Sequence, residues 1–173
     1  MQINIKKIAV SGMLVALAVA LSGFSIPIGA SRCFPVQHLC NVVAGVLLGP
    51  VYGVGMAFCT SLIRNLMGTG SLLAFPGSMV GALCCGLVYM FLRRLSVTCV
   101  AEALGTGILG GIAAYPAAKF LMGAEPAGLF VYVVPFLVST VVGSILAFIL
   151  VTVLEKGGVL SQFAMIGKKK SFQ

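Results

Sequence analysis

Charge is what this sequence most conspicuously lacks. Only 8% of its 173 residues are Asp, Glu, Lys or Arg, where soluble globular domains carry about one quarter, while 60% are hydrophobic and the mean hydropathy is +1.17. That excludes an ordinary soluble fold and indicates a polytopic membrane protein. The length holds five or six spans of about 20 residues and leaves no room for a soluble domain, so any ATPase must be another chain. Acid is scarcer still: the carboxylates are Glu102, Glu125 and Glu155, each at or near the end of an apolar segment. On that reading no span centre carries an acid for a proton relay, which argues against an ion-driven secondary transporter; sodium sites built from carbonyls stay open. There is no P-loop, no HExxH and no Ser/His/Asp set, and the single histidine, His38, has no acid partner in view. The chain is therefore not expected to be an enzyme, and no catalytic residue is assigned.

Metal and disulfide chemistry lack their usual patterns too. The six cysteines (Cys33, Cys40, Cys59, Cys84, Cys85, Cys99) lie mostly in apolar runs without CxxC pairs, and read as small packing residues. One histidine without a nearby carboxylate does not make a metal site. The net charge of +8 raises the question of nucleic acid, but no soluble face gathers the Lys and Arg residues into a patch, so the charge reports topology instead.

What is present is a series of apolar segments at about 8–28, 37–48, 51–67, 77–92, 101–122 and 129–154, followed by a basic tail over 155–173. The first is longer than a signal-peptide core and reads as a retained helix. The second covers only about 18 Å of a hydrocarbon core near 30 Å, and Gly49-Pro50 should end it or kink it into the third. Basic residues decide between five spans and six, because cytoplasmic loops carry the excess. Six spans with the N-terminus inside place Lys6, Lys7, Arg93, Arg94, Lys156, Lys168, Lys169 and Lys170 inside and Arg32, Arg64 and Lys119 outside, eight against three. Fusing 37–67 into one span gives four against seven. The expectation is an all-α membrane domain of six helices with both ends cytoplasmic.

That topology puts three breaks on the outer side, at 26–36, 68–76 and 123–128. The unusual polar residues lie in or beside them: Arg32, Gln37, His38, Asn41, Arg64, Asn65, Thr69, Ser71, Tyr115, Lys119 and Tyr132. A polar side chain at membrane depth is costly, so the cluster is read as a binding mouth facing outward. In helix 2, Gln37 or His38, Asn41 and Gly45 share one face. Arg64, at the end of helix 3, either snorkels to water or, with Asn65, donates to a ligand heteroatom or phosphate oxygen. Tyr115 and Lys119 in helix 5 are either wall and lid of a pocket or interfacial anchors. Helix 1 carries Gly12, Ala16, Ala20 and Gly23 as a small-residue stripe, suited either to packing within this protein or to docking a separate membrane subunit; helices 4 and 6 carry similar stripes (Gly77 and Gly81; Ser139, Gly143 and Ala147).

These residues carry a resemblance. A six-helix chain with no energy-coupling group, a small-residue stripe on helix 1 and a short helix 2 ending in LLGP is similar to the substrate-binding S component of an energy-coupling factor (ECF) transporter. PVQHLCNVVAGVLLGP (35–50), IRNLMGTG (63–70) and AFPGSMVGALCCG (74–86) resemble the ThiW family, associated with uptake of the thiazole precursor of thiamine. The resemblance implies a multi-pass protein of the bacterial cytoplasmic membrane that captures hydroxyethylthiazole from outside. It implies a membrane coupling protein and two ATPases as partners, the ATP being theirs and no cofactor belonging to this chain. It also implies docking through Gly12, Ala16 and Ala20, a polar pocket of Gln37, His38, Asn41, Arg64 and Asn65, and apolar walls from Phe75, Tyr115 and Tyr132, with Lys119 at the rim. The alternatives are an S component for thiamine or its pyrimidine precursor, or a self-sufficient small transporter or channel. A membrane enzyme of lipid metabolism is disfavoured by the missing acidic cluster.

Overall fold

The computed structural model describes residues 4–28 and 31–158; most of the basic tail, with Lys168, Lys169 and Lys170, lies outside them. Six helical rods run through the described residues. Helix α1 (Ile5–Ala20) begins at Asn4, whose side chain accepts from the Lys6 and Lys7 amides, and ends in a 3₁₀ turn (Leu21–Gly23). Helix α2 spans Pro35–Leu47 and α3 spans Pro50–Leu66, each opened by a proline in its first turn, where the missing N–H costs nothing. The expected break at Gly49-Pro50 ends one rod and starts the next, with Gly49 at φ +85°. Helix α4 spans Ala74–Leu92. Helix α5 runs without interruption over Leu95–Leu121, with π-helical stretches at Ala103–Gly110 and Ala117–Leu121, and α6 spans Val133–Lys156.

Two expectations need correction. The first apolar segment does not stay helical to residue 28: Ile26–Ile28 (β1) pairs antiparallel with Ser31–Cys33 (β2), matching Ile26 with Cys33 and Pro27 with Arg32. Ile-Pro-Ile is apolar, but Pro27 removes a helical donor and the branched side chains on either side suit a strand. The fifth rod begins six residues before the expected 101. The stretch before 101 carries Ser96 and Thr98, but the Thr98 hydroxyl donates to the Arg94 carbonyl 3.0 Å away, so it satisfies its own turn and the helix is continuous from Leu95. Glu102 therefore lies well inside a rod and is fully buried.

The short α2 is the centre of the bundle. Nine of its thirteen residues are buried, among them Gln37, His38 and Asn41, and it packs against all five other rods. Its contact with α6 is close at Gly143, where an added Cβ would strike the Pro35 carbonyl oxygen and lie 2.7 Å from His38 Cβ. The outer surfaces of α1, α4, α5 and α6 expose large apolar side chains such as Met13, Phe91, Leu109 and Ile149. These four rods, α1 with its 3₁₀ extension, are long and apolar enough to cross a membrane; α2 is a shorter apolar helix.

The connections divide between two ends. At one, the Lys7 ammonium donates to the Leu48 carbonyl at 2.9 Å and the Asn4 amide to the Tyr52 hydroxyl at 3.2 Å. At the other, the hairpin, the 67–73 turn and the 122–132 segment meet. There the Phe34 amide donates to the Ser139 hydroxyl (2.8 Å), the Cys33 thiol to the Pro135 carbonyl (3.2 Å) and the Ser22 hydroxyl to Thr69 (3.1 Å).

Candidate functional site

A cleft opens at the hairpin end of the bundle, with about 380 Å³ of atom-free space, its mouth included. Arg32 of the hairpin stands at it, Phe34 and Phe136 give aromatic surface, and Gln37 and His38 come from the first turn of α2. Ser71, Ser78, Thr106 and Ser139 add hydroxyls from four separate segments, and Ala74 and Gly77 keep the α4 wall small. Mixed apolar and polar walls of this kind suit a small organic molecule.

Behind the cleft lies a buried polar chain. The Arg64 guanidinium donates to Gln37 Oε1 and to the Thr69 carbonyl (3.3 Å), and stacks 3.6 Å from the Phe34 ring centroid. Gln37 Nε2 donates to Ser61 Oγ at 3.1 Å, and Ser61 lies 3.0 Å from the Ser78 hydroxyl, which donates to the Ala74 carbonyl at 2.7 Å. Asn41 Nδ2 donates to the Ser78 carbonyl (3.2 Å) and to Glu102 Oε1 (3.0 Å). Glu102 Oε1 also accepts from the Thr106 hydroxyl (3.0 Å) and lies 2.9 Å from His38 Nδ1, while Oε2 accepts from the Cys85 thiol (3.2 Å). The expectation that His38 lacks an acid partner, and that acids sit only at segment ends, is thus overturned. The shift of the α5 start to Leu95 carries Glu102 into the rod, and the α2–α5 contact brings it to His38. Among the described residues, no group of three or more His, Cys, Asp or Glu side chains is placed to hold a metal ion.

The remaining predicted residues fall in three places. Gln37 and His38 line the cleft, with Asn41 fully buried beneath them. Arg64 is 1% exposed, so it does not snorkel; it lies in the layer behind Phe34 and Gln37 and faces a smaller pocket against α1. Asn65 donates to the Ser61 and Ser71 carbonyls (2.8 and 3.0 Å) and so pins the turn that bears Ser71. Phe75 makes a tilted ring contact with Phe58, centroids 5.6 Å apart, away from the cleft lining. Tyr132 is buried against Phe136, 6.5 Å between centroids, and supports that wall from behind. Tyr115 is half-buried and Lys119 exposed; neither lines the cleft. Gly12, Ala16 and Ala20 are exposed on α1. Missing from the sequence-based site were Phe34, Ser78, Thr106, Phe136, Ser139 and Glu102. The four-residue spacing of Glu102 and Thr106 was a usable signal, since it places two polar groups on one helical face.

The family comparison gives this geometry its context. The family model for the thiamine-precursor transporter protein, ThiW, matches residues 8–157, all six rods except a few terminal residues. The chain belongs to the ThiW family. It is thus a multi-pass membrane protein of a thiamine-precursor transporter family, a transport rather than a catalytic assignment. No curated protein and no solved structure shows significant similarity to it. The ThiW match covers every residue that lines the cleft, together with Glu102 and Arg64.

Proposed function

We propose that this ThiW protein is the substrate-capture subunit of an ATP-driven ECF-type transporter and holds hydroxyethylthiazole in the cleft at the hairpin end. The observation that carries the reading is the cleft itself: aromatic faces from Phe34 and Phe136 beside an imidazole, an amide and several hydroxyls, in a chain with no nucleotide-binding motif. Gln37 and His38 contact the ligand, while Asn41, Arg64 and Asn65 brace them; Tyr132 backs the Phe136 wall, and Phe75, Tyr115 and Lys119 serve the surrounding outer layer. The hairpin end faces outward and both chain ends lie in the bacterial cytoplasm. Supporting that orientation, Lys6, Lys7, Arg93, Arg94 and Lys156 are at the opposite end, whereas Arg32 and Lys119 are on the cleft side.

Energy comes from partners, a membrane coupling protein and two ATPases. The docking face is the Gly12, Ala16 and Ala20 stripe, whose exposure on α1 favours docking over internal packing. By contrast, Gly77 and Gly143 of the similar stripes on α4 and α6 are packed against side chains of this protein. Calorimetric titration of the purified chain tests the ligand: hydroxyethylthiazole should bind without ATP. Binding of thiamine or its pyrimidine precursor in its place would reassign the cargo. Accumulation of cargo in liposomes holding this chain alone would replace the capture role with that of a self-sufficient transporter.

A further inference from the structure

The wiring of Glu102 bears on which chemical group of the cargo is recognised, an inference that rests on the thiazole-capture reading. The Ser78 carbonyl can only accept, so the Asn41 amide must turn its nitrogen there, and that same nitrogen faces Glu102 Oε1. Thr106 donates to the same oxygen and Cys85 to the other, so the carboxyl group is surrounded by donors and acts as acceptor throughout. The proton between it and His38, 2.9 Å apart, then belongs on Nδ1. Among the described residues, the sealed side-chain nitrogen and oxygen atoms without a partner are Asn41 Oδ1 and Arg64 Nε. Among the described residues His38 Nε2 has no hydrogen-bond partner, it is not one of these sealed atoms, and the ring lines the cleft, so Nε2 is reachable from it. The other lining nitrogens, on Arg32 and Gln37, are donors.

We infer that Glu102 is a positioning residue: it accepts the Nδ1–H of His38 and thereby presents the Nε2 lone pair to the cleft, where it accepts the hydroxyl hydrogen of an alcohol-bearing heteroaromatic cargo. The cargo's alcohol, rather than its ring nitrogen, is what this atom reads.

The chain has one histidine, so ¹⁵N-histidine labelling gives a single pair of ring nitrogen signals. In the wild-type protein the proton is expected on Nδ1 with Nε2 bare, and in Glu102→Gln the population shifts toward Nε2–H. A wild-type ring protonated on Nε2, or on both nitrogens, overturns the inference whatever the cargo is. In a second arm, hydroxyethylthiazole is compared with the analogue ending in a plain ethyl group. The wild-type protein should prefer the alcohol about tenfold to a hundredfold, and Glu102→Gln should lose most of that preference while still binding the ethyl analogue. Equal wild-type affinity for the two ligands overturns the inference. If neither binds the wild-type protein, the capture reading falls, and the ring signals still decide whether Glu102 sets the tautomer.

Discussion

Gly81 shows how little room the buried chain allows. A methyl group there would collide with the Thr106 hydroxyl and lie 2.5 Å from Glu102 Oε2. Gly81→Ala should destabilise the protein by about 1–3 kcal/mol, the range for overpacking a filled interior, and weaken ligand binding through displaced Thr106. Thermal unfolding in detergent together with titration checks both; an unchanged melting temperature would show that the space is not tight. Much of the site was readable at this scale. Gln37, His38 and Asn41 stood out because amide and imidazole groups are costly in apolar sequence. The spacing to Thr106 marks Glu102 as part of a polar helical face, but its pairing with His38 was hidden for a physical reason: that contact joins α2 and α5 across sixty-four residues, and no local pattern encodes such a distance. Phe34 and Phe136 were unreadable likewise, since a phenylalanine in a membrane chain has the same letter whether it faces lipid, core or cleft.

Among the helices, two glycines on opposite kinds of surface separate packing from docking. Gly12 on α1 is exposed with nothing near an added Cβ, whereas Gly143 on α6 is wedged against Pro35 and His38. Gly12→Ala should leave the subunit as stable or raise it by up to about 1 kcal/mol through helix propensity, while Gly143→Ala should cost about 1–3 kcal/mol. A chemical denaturation series reads the two; equal effects would mean that α1 is packed in a way its exposure does not reveal. The proposed docking role makes a separate prediction for the same rod. Ala16→Leu should leave ligand affinity unchanged and abolish co-purification with the coupling protein, and retained assembly would remove the stripe from the interface. Rod number was legible because apolar runs and their Gly and Pro breaks are local signals. The hairpin was not, because three-residue strands are made by pairing rather than propensity, and the start of α5 was misplaced because Thr98 bonds back within its own helix.

Across the whole molecule, the expected number of rods was recovered, and with it the grouping of polar residues at one end. That grouping follows from alternation alone: rods that alternate direction bring every second connection to the same end. The central rod has a consequence for how cargo is met. Helix α2 is thirteen residues long, about 20 Å at 1.5 Å per residue, against a hydrocarbon layer near 30 Å, and it is ringed by longer rods. The hairpin and the outer turns continue past its first turn and border the cleft there. Its first turn, with His38, is therefore sunk below the rim, and a molecule must shed most of its hydration before reaching the imidazole. Capture should accordingly carry a negative heat-capacity change, visible as a binding enthalpy that grows more exothermic with temperature. A temperature-independent enthalpy would mean that the cargo stays wet, resting at the mouth beside Arg32 rather than in the shaft that the short helix leaves open.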